Sequence, residues 1–380
     1  MKAKSIKGGS AEEVQKALNE AMLDGFKPTL AIIFISIKQD IKAVCDIFDN
    51  LNISIFGATS SGEIYDDAAS HQSISILLMD LDPAYFQLLY GEYGEKVPEE
   101  LAKELTIKAQ SCFVHPAYIV SNSIANIADL DVGEKILKAI LEVTGDEAEV
   151  WGGGAGDDLI FKETFVFTNG QCGNRALLLL VLNSEKVVVK GLTATGLKPA
   201  GTEKTITKAD GKWIIEIDDQ PAAEFITRFL GITLKPEDYK DWSVTNLYMG
   251  LYRGNADPVI RSATGFNREN KAISVSGTVK ENDRVRLMLP PDFEIIDELN
   301  NQALVFRKNE MVEADAMLMF SCVGRLDVLG PLIDDELKAI RSVFNTPMTG
   351  FFSYGEYGRT SGGQNEFHNM SCCWVALKEK

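Results

Sequence analysis

Two seven-residue phrases in this chain set glycines, a serine and a glutamate at the same spacing, and both could hold a charged small molecule. Gly57-Ala58-Thr59-Ser60-Ser61-Gly62-Glu63 reads G-x-x-S-x-G-E, and Gly350-Phe351-Phe352-Ser353-Tyr354-Gly355-Glu356 repeats it 293 positions later. Glycines that follow a strand let backbone N–H groups converge on an anion such as a carboxylate. The glutamate would then suit the ammonium end of the same ligand. Ser60, Ser61, Gly62 and Glu63 are therefore candidate ligand-binding residues, as are Tyr354, Gly355 and Glu356. The competing reading is a tight turn in which Glu63 or Glu356 accepts local backbone hydrogen bonds.

The copies extend in both directions. Lys42-Ala43-Val44 with Ile47-Phe48 matches Lys338-Ala339-Ile340 with Val343-Phe344, and each glutamate is followed by a histidine, His71 or His368, and an apolar run. Repetition in the same context suggests an internal duplication whose half-sites face each other.

A third glycine-rich stretch, Trp151-Gly152-Gly153-Gly154-Ala155-Gly156-Asp157-Asp158, lacks the helix that a dinucleotide fingerprint needs after it. It reads as a flexible turn that brings Gly154, Asp157 and Asp158 toward a cleft. No histidine or further carboxylate lies close enough in sequence to suggest a metal there. His368, between Phe367 and Asn369, reads as a core histidine, as a ligand contact together with Asn369, or as a haem ligand. C-x-x-C-H is absent, which excludes covalent haem. His115 precedes Pro116, an extended loop setting.

Enzyme signatures are lacking. In both phrases the serine comes one residue too late for a nucleophile elbow, and no Walker loop, H-E-x-x-H or kinase set occurs. A binding module is the expectation, with a ligand-free protein-interaction scaffold as its rival.

The elements that must position these groups alternate. Ser10 and Glu13 form a capping box ahead of a helix to about residue 23. Residues 30–35 form a strand buried on both faces, Asp40 caps a helix to Phe48, and a short strand at 53–56 enters the first phrase. Further strands are expected at 117–120, 164–167 and 176–182, with a helix at 133–143 between the first two. Asp210-Gly211 signals a hairpin. Residues 218–231 carry helix punctuation, with Pro221 in the first turn and Gly231 at the C-terminal end. Strands at 246–252, 259–264, 272–279 and 284–289 follow, and Pro290-Pro291 ends that meander. A helix at 292–304, a buried strand at 314–322 and a helix at 334–344 lead into the second phrase.

At 380 residues, 45% hydrophobic and 24% charged, the chain is long enough for two cores. A net charge of −17 argues against nucleic acid and against an anionic membrane surface. The longest aliphatic run, 176–182, cannot span a bilayer, and the N-terminus lacks a signal-peptide core. Six cysteines without framework spacing fit a reducing, cytoplasmic compartment. Adjacent Cys372 and Cys373 are expected to face opposite sides of a strand.

Four segments carry a family resemblance: 57–64, 152–167, 191–224 with Gly201, Trp213, Asp218, Pro221 and Ala222, and 350–356 with Phe367-His368-Asn369. Together they resemble the FIST domain family, in both its N-terminal and C-terminal parts. The resemblance implies a small-ligand-binding sensory domain of signal transduction, recognising compounds such as amino acids. It also admits a haem-binding nitric oxide sensor as an alternative. No kinase, cyclase or F-box segment accompanies the resembling region, so output is expected through a separate partner such as a histidine kinase. The expected architecture is α+β, with two mixed sheets, helices on their outer faces and a pseudo-twofold duplication. A helical lead-in at 1–28, an N-terminal domain at 29–217 and a C-terminal domain at 218–380 are the expected divisions.

Overall fold

A computed structural model describes residues 1–94, 96–126, 131–233, 235, 247–253, 256–290 and 292–380. Asn246 and Pro291, which figure in the expected meander, lie outside the described residues.

The chain runs three times through one succession of elements. The first is β1 (Ala3–Gly8), α1 (Ala11–Met22), β2 (Leu30–Ser36), α2 (Ile41–Asp49), β3 (Ser54–Ser60), β4 (Glu63–Tyr65), β5 (Ala68–Ser70) and β6 (Ile74–Met79). The second is β7 (Phe86–Glu92), α3 (Pro98–Cys112), β8 (Ala117–Asn122), α4 (Val132–Thr144), β9 (Val150–Gly154), β10 (Val166–Thr168), β11 (Gln171–Gly173) and β12 (Ala176–Leu182).

The third begins with β13 (Val187–Ala194) and is then interrupted. The insertion holds β14 (Lys198–Asp210), β15 (Trp213–Ile217), β16 (Gln220–Pro221), α5 (Ala222–Phe229), β17 (Tyr248–Tyr252), β18 (Val259–Phe266), β19 (Ile273–Val275) and β20 (Arg284–Leu289). The third run resumes with α6 (Ile295–Asn309), β21 (Ala316–Cys322), α7 (Gly324–Leu329), α8 (Ile333–Phe344), β22 (Met348–Ser353), β23 (Glu356–Arg359), β24 (Asn365–His368) and β25 (Cys372–Glu379).

The strand orders are β1-β6-β2-β3-β10-β11, β7-β12-β8-β9-β23-β24 and β13-β25-β21-β22-β4-β5. In each sheet the two strands flanking the helix crossover are parallel, as a β-α-β connection requires: Leu30 meets Ser54, Tyr118 meets Val150, and Met317 meets Met348. The final hairpin of each run joins a sheet of another run, passing from first to third, second to first and third to second. The insertion makes the fourth, antiparallel sheet. The fold is mixed α/β with several mixed sheets. The expected pair of sheets is corrected to three of one kind plus a fourth; the middle run carries no G-x-x-S-x-G-E phrase that would mark it in the sequence.

Period-two alternation assigns the faces. Leu30, Ile32 and Phe34 of β2 join Ala117 and Ile119 of β8 and Leu318 and Phe320 of β21 in one central cluster. The alternate residues Ala31, Ile33 and Ile35 pack instead with Val14 and Leu18 of α1 and Val44 and Phe48 of α2. Tyr118 and Val120 pack with α3 and α4, and Met317 and Met319 with α6 and α8. Cys372 and Cys373 fall on opposite faces, as expected.

Local signals hold with adjustments. Ser10 accepts the Glu13 N–H at 3.3 Å, while the Glu13 carboxylate reaches the N–H of Gly9 at 2.7 Å. Asp40 caps α2 through the Ala43 N–H at 2.9 Å. Asp210 pairs with Trp213 across a turn in which Gly211 has φ 57°. The helix expected over 218–231 is shorter, because Asp218 and Asp219 form a left-handed turn and Pro221 closes β16 before α5 begins. The expected lead-in helix is preceded by strand β1. The expected strand over 272–279 shrinks to three residues, and the helix expected over 292–304 is Ile295–Asn309. The glycine block expected as a turn is corrected in part: Gly152, Gly153 and Gly154 are strand β9.

Candidate functional site

The ends of β3, β9 and β22 meet, and their main chains exchange hydrogen bonds in a cycle. Ser61 donates to the Phe352 carbonyl at 3.0 Å and Phe352 to that of Gly62 at 2.9 Å. Tyr354 donates to Gly154 and Gly154 to Gly355, while Gly156 donates to Thr59 and Asp158 to Ser60. Glycine is required at equivalent points of all three strands. A Cβ on Gly57 would lie 2.1 Å from the Phe167 ring, on Gly152 1.9 Å from the Val120 carbonyl oxygen, and on Gly350 2.1 Å from that of Met319.

The junction thus gathers Ser60, Ser61, Gly62, Glu63, Gly154, Asp157, Asp158, Tyr354, Gly355 and Glu356. Their polar groups are mostly engaged within the chain. Glu63 is fully buried and accepts from the Ser60 hydroxyl, the Ser73 N–H at 2.9 Å and the Ser73 hydroxyl at 2.7 Å. Burial pushes its carboxyl up to about 7, against those hydrogen bonds. Glu356 repeats the pattern with Ser353 at 2.8 Å and Ser371 at 2.7 Å, and burial pushes it up to about 8. Asp157 accepts the Tyr354 hydroxyl and the N–H groups of Phe161 and Lys162. Asp158 accepts the Ser36 hydroxyl at 2.7 Å.

His368 pairs with Glu356 at the open end of the β23–β24 hairpin, beside the junction, and Asn369 follows it. His368 is fully buried, its Nε2 lies 3.2 Å from the Gly358 carbonyl, and burial lowers it to about 3, so the ring is neutral. A porphyrin needs a slot beside its axial donor. None of the described cavities is lined by His368, Cys372, Cys373 or Tyr354, and none of these side chains exceeds 7% exposure, so the residues do not fit haem. Asn369 accepts from Ser276 of the fourth sheet at 2.6 Å. Among the described residues no group of three potential metal ligands gathers.

An open cleft of about 580 Å³ lies elsewhere, within the 300–1,000 Å³ range of small-molecule sites. It is walled by the start of β9, by β13, by α6, by Asp257 before β18, and by the Arg359–Gly363 turn of the β23–β24 hairpin. At its floor Glu149 accepts from Trp151 Nε1 at 3.0 Å, Lys190 at 2.5 Å and Arg359 at 2.8 Å. The Arg359 guanidinium sits 5.7 Å from the Trp151 ring centre. One carboxylate thus fixes two cations. Burial raises the Asp257 carboxyl above its ordinary value. Asn301, Asn309 and Glu310 of α6 and its C-terminal edge supply further polar groups, and Val305 and Phe306 an apolar wall. The sequence reading missed all of these residues except the structural Trp151. Glu149-x-Trp151 directly before the glycine block was the available signal.

A βαβ crossover carried three times, with hairpins exchanged between the sheets, and an antiparallel sheet inserted in the third run define a two-part domain. The chain belongs to the FIST family: the FIST N domain matches residues 29–220 and the FIST C domain residues 213–359. That family is associated with sensory signal transduction. The chain is also similar to an uncharacterized protein of Methanocaldococcus jannaschii, 24% identical over 221 residues, covering 56% of this chain and 41% of that one. It therefore spans less than half the length of that relative.

Proposed function

We propose that this is a cytoplasmic sensory protein that binds a small polar metabolite, an amino acid above all, without turning it over. The observation that carries the reading is the cleft in which Glu149 presents Arg359 and Lys190 together. A carboxylate would dock on that pair in charge-assisted hydrogen bonds, and an ammonium on Asp257 or Glu310. Six free cysteines support a reducing compartment, and the net charge of −17 supports a role without nucleic acid or membrane. No helix among the described residues is long and apolar enough to cross a membrane. Occupancy passes to a separate signalling protein, such as a histidine kinase. The threefold succession of elements supports an origin by internal repetition.

A thermal-shift screen of amino acids, organic acids and nucleosides tests this, with Arg359→Ala as the control. Stabilisation by an amino acid in the parent and none in the variant is expected. No stabilisation by any compound would favour a scaffold without ligand.

A further inference from the structure

The three strand ends that meet at the junction are not alike. Two residues separate β3 from β4 and β22 from β23, but eleven, 155–165, separate β9 from β10. This longer connection crosses the junction, and its backbone is held in a costly form. Asp158, Leu159 and Phe161 have φ of 54°, 62° and 57°, a region that bulky side chains avoid. Leu159, Ile160 and Phe161 nonetheless stay 46%, 45% and 40% exposed, so apolar burial does not compensate. The segment is pinned at its ends, where Asp158 bonds to Ser60 and Ser36 and Glu163 accepts from Asn174 at 2.8 Å, and between them it is held down by one carboxylate. Asp157, 1% exposed, accepts the N–H groups of Phe161 at 2.9 Å, Lys162 at 2.7 Å and Glu163 at 3.2 Å, and its Oδ1 also takes the Tyr354 hydroxyl. The Phe161 ring stacks on Tyr354 at 5.1 Å.

We propose that residues 159–163 are a strap over the junction, hinged at Asp158, latched by the Asp157 carboxylate and by Phe161 on the Tyr354 ring, and able to lift while the sheets stay folded. Strain of this kind persists where surrounding structure over-determines it, and it gathers at clamps and switches. Lifting releases the left-handed residues and uncovers Asp157, Tyr354 and the neighbouring Ser61, which is 3% exposed, to a small polar solute. The strap lies apart from the cleft beside Arg359, so the two can be tested separately.

Hydrogen–deuterium exchange on the full chain decides the matter. In the parent, the amides of residues 161–163 should exchange at least about tenfold faster than those of β12, whose exchange follows the most stable part of the fold. Tyr354→Phe removes the hydroxyl that braces the Asp157 carboxylate and should speed the strap a further tenfold or so relative to β12. Leu159→Asn should slow it, because asparagine accepts the left-handed region and relaxes only the closed form. Exchange of 161–163 at the rate of β12 in the parent would overturn the proposal. So would a strap whose rate relative to β12 responds to neither substitution.

Discussion

The N–H of Ser61 lies 3.0 Å from the carbonyl of Phe352, so the two copies of one heptapeptide are bonded directly to each other. The glycine that opens each copy, and Gly152 in the middle run, sits where a neighbour fills the place of a Cβ. The junction is therefore a packing solution as much as a polar one.

Alanine at those glycines should destabilise unequally. At Gly152 and Gly350 the obstacle is a carbonyl oxygen of an adjacent strand, whereas at Gly57 it is the Phe167 ring, which can tilt. Overpacking costs about 1–3 kcal/mol or more where the backbone must move. Chemical denaturation should rank Gly152→Ala and Gly350→Ala below Gly57→Ala in stability. The reverse order would refute the argument.

Glu63 and Glu356 make stability fall as pH rises. Their carboxyls are raised from 4.5 to about 7 and about 8 by burial, so the native state keeps protons that the unfolded chain has already lost. The contribution is complete below pH 4.5 and is lost as pH climbs through 7 and 8. Each group is worth on the order of 3–5 kcal/mol across that window. Melting temperatures from pH 5 to 9 should decline in the parent and flatten in Glu63→Gln and Glu356→Gln.

His368 works from the acid side. It stays neutral down to about 3 while an unfolded histidine charges near 6.5, so stability is lost as pH falls from 6.5 toward 3. A variant lacking the imidazole, His368→Gln, should show a shallower loss between those values. Titration of the parent with hemin should give no saturable Soret band at one equivalent, since the ring is sealed in.

Arg325 and Glu336 form a buried pair at 2% and 0% side-chain exposure, with Arg325 also donating to the carbonyls of Thr195 and Met370. Glu336→Ala leaves a guanidinium uncompensated and should cost about 3–5 kcal/mol. Arg325→Met combined with Glu336→Leu should recover much of that loss in a denaturation midpoint.

In the cleft, a ligand at about a hundred times its Kd should stabilise the parent by roughly 2.7 kcal/mol. Glu149→Gln should weaken that gain without abolishing it. It leaves Arg359 and Lys190 in place but removes the carboxylate that both cations share. Equal stabilisation of parent and variant would remove Glu149 from any positioning role.

Much of the framework was legible because burial and period coincide. The apolar run at 176–182 is β12, and the strand expected at 284–289 is β20, residue for residue. Three glycines hid β9, since residues without side chains carry no β pattern, although Gly152 is there because no side chain fits. The candidate residues of the two phrases do converge, but with their carboxylates already satisfied. Beyond Glu149-x-Trp151, the cleft left no local signal in the sequence. Glu149, Lys190, Asp257 and Arg359 are strung over more than half the chain, and Arg359 reaches the cleft on the exchanged β23–β24 hairpin.

That exchange also fixes the order in which the protein can be completed as it leaves the ribosome. The first sheet has all its strands once Gly173 has emerged, because β10 and β11 are its last members. The second must wait for β23 and β24, so β9 keeps an open edge until His368 has been made. The third closes only at Glu379. Nascent chains expose such unpaired edges as sites for wrong pairing. Slowing translation through residues 183–368 should therefore raise aggregation more than slowing it before Gly173.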